Sequence, residues 1–242
     1  MKQKSQHKKY RKIILKLSGE FFGNQDTTFN QAAIQYTVEQ ITAARKLGTK
    51  IGIVVGAGNI IRGRDAKGLN KIDADLCGMM GTVINGLILS SMLKKANHEV
   101  RVSSALAIDG IAERFNKSKD LAFYNSGGII VFVGGTGNPL FTTDTAAALR
   151  AAELNTDVLI KGTKVAGVYS SDPHKDKRAT FYKKLTCDQV IARNLQVMDL
   201  TAFNICREAH VPICVYNFMK HDLSDIIYGK NIGTIISGGR DD

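Results

Sequence analysis

Short apolar runs bounded by glycine or polar residues recur along the chain and alternate with longer segments whose apolar positions follow helical spacing. This alternation predicts parallel strands joined by crossover helices: a strand buried on both faces reads as a continuous apolar run, and a covering helix reads as a stripe. Strands are expected at residues 12–17 (KIILKL), 50–55 (KIGIVV), 100–104, 129–133, 157–161 (DVLIK), 212–216 and 233–236. Helices are expected over residues 31–46, 74–97 and 145–153, near 187–193 and 199–210, and over 223–228. Within 74–97, Met79, Met80, Val83, Ile84, Leu87, Ile88, Met92 and Leu93 recur at helical spacing, as a core stripe or a subunit interface. The stretch holding Asp109 and Asp120 is polar and reads as a connection, and the glycine turns within 161–173 predict a small hairpin. The fold class is α/β with a mainly parallel sheet.

Three of these strands run into glycine. The first is followed by Ser18 and Gly19, the second by Gly56, Ala57, Gly58 and Asn59, and a third by GGTGNPLFTTD at residues 134–144. In the last loop Gly134, Gly135 and Gly137 let backbone N–H groups approach a ligand, and Pro139 stiffens the bend. Thr142, Thr143 and Asp144 offer oxygens to the start of a helix. The carboxyl ends of parallel strands lie along one edge of a doubly wound sheet, so these loops converge on one ligand.

Two lysines stand out: Lys16 interrupts one apolar run and Lys161 ends another. A lysine resists burial unless its charge meets an anion, although Lys16 could instead snorkel from the strand end. Arg62 reads as a bidentate phosphate ligand or as a surface arginine. Asp75, near the start of the long helix, reads as a cap or as a ligand-binding acid. Asp144 and Asp199 stand at two further helix starts. Cationic groups and backbone amides around one cleft suit phosphoryl transfer, where the enzyme positions and neutralises charge rather than supplying a nucleophile.

Other nucleotide signatures are missing. The chain lacks G-x-x-x-x-G-K-[ST] and the H-R-D and D-F-G signals, and Ile61 and Leu140 stand where a dinucleotide fingerprint needs its third glycine. With 242 residues, 44% of them apolar, the chain can bury one full core. A single domain is expected over residues 11–237, between a basic disordered tail at 1–10 and a loose end at 238–242. The net charge of +11 points to anionic partners. Much of it sits in the first twelve residues, which no long apolar segment follows, so neither a secretory signal nor a membrane span is expected. Cys77, Cys187, Cys206 and Cys214 show no paired spacing and the histidines are scattered, which fits a reduced cytoplasmic protein without a zinc site.

Five stretches add a resemblance: KLSGE at residues 16–20, GAGNIIRG at 56–63, GTGNPLFTTD at 135–144, KGTKVAGVYSSDP at 161–173 and VMDLTAF at 197–203. Together and in order they closely resemble the bacterial uridylate kinases of the amino acid kinase family, from about residue 11 to residue 236. The resemblance implies the amino acid kinase fold, a three-layer α/β/α sandwich with a mainly parallel central sheet. It also implies an ATP- and Mg2+-dependent cytoplasmic homohexamer that phosphorylates UMP to UDP for pyrimidine nucleotide synthesis, with no specific nucleic acid or membrane partner.

Carried onto this chain, Lys16, Leu17, Ser18, Gly19, Gly58 and Arg62 match positions that handle ATP phosphates, with Thr163, Tyr169 and Asp172 around the donor nucleoside. Ala57, Asp75, Thr136, Gly137, Asn138, Pro139, Leu140, Phe141, Thr142 and Thr143 match the UMP site, where Asp75 is expected to take ribose hydroxyls. The catalytic set implied is Lys16, Arg62, Asp144, Lys161 and Asp199. The lysines would stabilise the transferring phosphoryl group, and the two acids would orient the lysines or the Mg2+ shell. The metal is expected to be held chiefly by phosphate oxygens and water, without a protein cage.

Two departures matter. Ala57 replaces a glycine common in the family, which would bring a methyl toward the acceptor phosphate. The segment GNQDTTF at residues 23–29 lacks the glycine-rich pattern linked to GTP activation in some members, whereas UTP feedback would act at the UMP site. The nearest alternative is a kinase for a small carboxylate or carbamate, which an acid at Asp75 would repel. From another class comes a non-catalytic nucleotide sensor or nucleic-acid binder, prompted by the charge. The absence of tryptophan and the single tail aromatic, Tyr10, leave it no stacking platform.

Overall fold

The computed structural model describes residues 7–23, 27–61 and 68–238. The first half of the chain forms β1 (Lys12–Leu17), α1 (Gln31–Lys46), β2 (Lys50–Val55), α2 (Lys71–Lys95), β3 (Val100–Ser104), β4 (Glu113–Arg114), α3 (Lys117–Ser126) and β5 (Ile129–Val133). The second half forms α4 (Thr143–Glu153), β6 (Val158–Thr163), β7 (Val168–Tyr169), β8 (Phe181–Tyr182), β9 (Lys184–Thr186), α5 (Cys187–Ala192), α6 (Leu200–Glu208), β10 (Ile213–Asn217), α7 (Leu223–Ile227) and β11 (Thr234–Ser237).

Among the described residues nine strands make one sheet in the order β4-β3-β5-β2-β1-β6-β10-β11-β9. All neighbours run parallel except β10 and β11. From β1 the chain steps to β2 on one side and later to β6 on the other, so the carboxyl ends of β1 and β6 flank a switch point, where open α/β sheets bind ligands.

Strand side chains alternate with a period of two and so feed two apolar layers. Ile13, Leu15, Leu17 and Ile53 pack with Ile41, Val83 and Ile227 of α1, α2 and α7. Ile14, Val54, Phe132 and Leu159 pack with Ala147, Ala151 and Phe203 of α4 and α6. The result is the α/β/α sandwich that the motifs implied. Asn30, Asn70, Asn116, Thr142, Thr186 and Asp199 each accept a backbone N–H from the first turn of the helix that follows, which is why those helices begin there.

Several expectations are corrected. The polar connection after β3 contains α3, whose burial rests on Asp120 and Tyr124. The Tyr124 hydroxyl is shared between the carbonyls of Ile13 and Lys50 at 3.0 and 3.1 Å, and Asp120 accepts from Ser103 Oγ at 2.8 Å. A helix anchored by two residues leaves no apolar stripe to read. The small hairpin is not internal to residues 161–173: β7 pairs antiparallel with β8, and residues 170–180 loop out between them. At the N-terminus Tyr10 is buried and its N–H donates to the Ile227 carbonyl, so ordered chain begins before residue 11. Among the described residues α2 is long and apolar enough to cross a membrane, against expectation, and half of that stretch is buried in the domain.

Candidate active site

Register builds the centre of the site. In the β1–β6 pair Lys16 stands opposite Lys161, and residues paired in register face the same side of a sheet. Ile14 and Leu159, two residues earlier on each strand, belong to the layer packed with α4 and α6, so both lysines face that layer too. From it Asp144, the second residue of α4, meets both ammonium groups. Its Oδ1 lies 2.8 Å from Lys16 Nζ and its Oδ2 lies 2.6 Å from Lys161 Nζ. The side chains of Lys16, Asp144 and Lys161 are only 10, 11 and 13% exposed. Lys161 also donates to the Val197 carbonyl. Burial alone would raise the Asp144 carboxyl, but the flanking ammonium groups overcome it and hold the group at about 2. Burial, reinforced by Lys16, pushes Lys161 down to about 8 against the opposing pull of Asp144 and Asp199.

Next to this centre the loops after β1 and β2 touch. A Cβ on Gly19 would lie 2.5 Å from both Gly58 N and Asn59 Oδ1, so close approach makes glycine necessary there. Asn85 of α2 secures the second loop by donating to the Gly56 carbonyl at 2.7 Å. The Ala57 methyl is directed at α2, where a Cβ on Gly81 would come within 2.8 Å of it. Arg62 lies outside the described residues.

The loop after β5 is shaped differently. Gly134, Gly135, Gly137 and Leu140 have φ values of 75, 58, 81 and 70°, in the left-handed region. Leu140 is strained there, and its N–H donates to Asp75 Oδ2 at 2.9 Å. Asp75 is therefore not a helix cap: α2 starts earlier than expected, under Asn70, and Asp75 ties its second turn to the loop. Thr142 Oγ caps α4 by accepting from Asp144 N at 2.9 Å, and it donates to Asp199 Oδ2 at 2.6 Å. Among the described residues nothing engages the hydroxyl of half-buried Thr143. Asp199 was expected to orient a lysine or the metal shell. As the cap of α6 its carboxylate is turned to Ala202 N and to the threonines of α4, and it acts on Lys161 only through space.

A cavity of about 460 Å3 opens beside β6 and β7. Thr163, Tyr169 and Asp172, carried over together from the family motif, line it. So do Lys175, Asn194, Gln196 and Val197, which sequence reading did not assign to a site; Val197 opens the VMD motif, and Asn194 and Gln196 stand directly before it. Among the described residues no cluster of three or more His, Cys, Asp or Glu side chains could hold a metal.

A fold and site of this kind define a class. The chain matches the model of the amino acid kinase family over residues 11–217 and belongs to that family. Among solved structures it is similar to the UMP kinase of Bacillus anthracis, with 34% identity, a TM-score of 0.91 and coverage of 95% of this chain and 96% of that one. The UMP kinase of Ureaplasma parvum is 35% identical with a TM-score of 0.88, covering 94% and 98%. The uridylate kinase of Archaeoglobus fulgidus is 26% identical with a TM-score of 0.71, covering 93% and 99%.

Proposed function

We infer that the protein transfers the γ-phosphoryl group of ATP to UMP, giving ADP and UDP, in the supply of pyrimidine nucleotides. One observation carries the reading: Asp144 holds Lys16 and Lys161 together at the switch point, between the donor cavity and the acceptor loop. The likeness to UMP kinases over nearly the whole chain supports the choice of acceptor.

An oxygen of the UMP phosphate attacks the γ-phosphorus, and ADP leaves on the opposite side. The acceptor brings its own nucleophile, so the protein aligns the two phosphates and neutralises charge. Thr163, Tyr169 and Asp172 hold the donor nucleoside. Leu17, the amides of Ser18, Gly19 and Gly58, and the ammonium groups of Lys16 and Lys161 take its phosphates. Asp144 pairs with both lysines and aims them at one point before substrate arrives. Ala57 and residues 136–143 place UMP, with Asp75 Oδ1 offered to a ribose hydroxyl and the Thr143 hydroxyl to the phosphate. Arg62 is assigned to phosphate by its motif. Mg2+ bound to the ATP phosphates would offset their charge. With Asp144 and Asp199 both occupied by protein donors, the site suits an ion held by phosphate oxygens and water.

The assembly we propose is a cytoplasmic homohexamer. Ile72, Leu76, Met80, Ile84 and Leu87 form an exposed apolar stripe on α2 suited to a subunit contact, and light scattering would give the mass. The reaction is tested by ADP release with ATP and Mg2+, screening UMP, CMP, dUMP, acetylglutamate and carbamate. Selectivity for UMP is expected. Turnover of an acid instead would overturn the acceptor site, and no turnover with any acceptor would favour a nucleotide sensor.

A further inference from the structure

We propose that Thr145 is a positioning residue of the acceptor site, acting through Asp199 on Thr142; this rests on the phosphoryl-transfer reading above. Buried helical threonines commonly donate to their own helix, and two in this protein do so. Thr37 bonds the Ala33 carbonyl at 2.9 Å and Thr82 bonds the Met79 carbonyl at 2.6 Å. Thr145, the third residue of α4 and 2% exposed, instead crosses to another helix and meets both carboxylate oxygens of Asp199 at 2.8 Å. That carboxylate also takes the Thr142 hydroxyl at 2.6 Å and Ala202 N at 2.9 Å.

The chain of contacts leads to the chemistry in two directions. Because the Thr142 proton goes to Asp199, its oxygen is left to accept from Asp144 N, which seats the carboxylate that holds both lysines. Thr142 is also the end of the acceptor loop, so its position sets where the neighbouring Thr143 hydroxyl stands. Upstream of Asp199, the Val197 carbonyl bonds Lys161. Thr145 therefore braces the joint between the acceptor loop and the lysine pair; Thr163, Tyr169 and Asp172 of the donor cavity lie on other elements, and the brace meets that cavity at Val197.

Steady-state kinetics of Thr145→Val, Thr145→Ser and the wild type would test this, with UMP affinity measured separately by calorimetry. In Thr145→Val we expect KM for UMP to rise and kcat to fall, each by roughly fivefold, from loss of a charge-assisted hydrogen bond at an alignment point, with KM for ATP changing less, because the brace reaches the donor phosphates only through the lysine pair. Calorimetry should show the same loss of UMP affinity, and Thr145→Ser should restore both. Equal losses for ATP and UMP, a loss that serine does not rescue, or wild-type kinetics in Thr145→Val would each overturn the proposal while leaving the reaction intact. A wild-type protein that does not phosphorylate UMP would overturn the reading itself and this proposal with it. If Thr145→Val fails to fold, Asp199→Asn serves, since its amide oxygen can still cap Ala202 while its NH2 cannot accept from Thr142. The same UMP-selective loss is expected, and a nonselective one refutes the brace.

Discussion

The floor of the cleft and the loop after β5, proposed as its acceptor rim, solve opposite problems. The floor is made of full charges: two ammonium groups and a carboxylate, each about nine-tenths buried and already paired. The rim is made of backbone: three left-handed glycines and a strained Leu140, tied to α2 through Thr82 and Asp75. A prepaired floor can meet a developing charge without reorganising, whereas a rim of bent backbone can adjust to a ligand that must come and go. The difference predicts that floor substitutions act on stability and kcat, and rim substitutions on the KM for UMP.

The largest effect is expected from Asp144→Ala, which leaves two buried ammonium groups facing each other and should destabilise the fold by about 3 kcal/mol, read in a urea titration. The wild type should show the same weakness in acid. The Asp144 carboxyl titrates lower in the folded state than its ordinary 3.8, so its contribution is complete above 3.8 and is lost as the pH falls toward about 2. Next comes Lys16→Ala, expected to lower kcat more than about tenfold with the fold intact; near-normal turnover would remove Lys16 from the transfer step. Asp75→Asn tests the rim. It should raise KM for UMP by roughly fivefold and leave ATP alone, because an amide can accept from Leu140 but offers a weaker partner to ribose. Equal loss for both substrates would make the floor–rim distinction wrong. The smallest effect is on pH: kcat/KM for ATP should fall to half near pH 8, as Lys161 loses its proton.

Legibility in the sequence followed the same division. Apolar runs announced the sheet because burial on both faces leaves nothing polar to break them, and Lys16 and Lys161 stood out because one broke a run and the other ended one. That Asp144 orients them was one of two roles the resemblance left open, beside the Mg2+ shell, and needed register to be seen. What stayed hidden depended on backbone atoms or on long-range contacts. The Val197 carbonyl on Lys161 has no side-chain signature. Asp199 looked like Asp144, an acid at a helix start, and only the packing of α4 on α6 gives it hydroxyl partners instead of ammonium ones. Helix α3 escaped because Tyr124 secures it with one hydroxyl rather than an apolar stripe.

The contact between Ala57 and Gly81 constrains how this chain can diverge. With 2.8 Å between the existing methyl and the place a second would take, either position can carry a methyl while the other stays bare. With alanine in the loop, a methyl added to the helix forces one of the two segments to shift, so the two sites, 24 positions apart along the chain, are expected to be substituted jointly rather than independently.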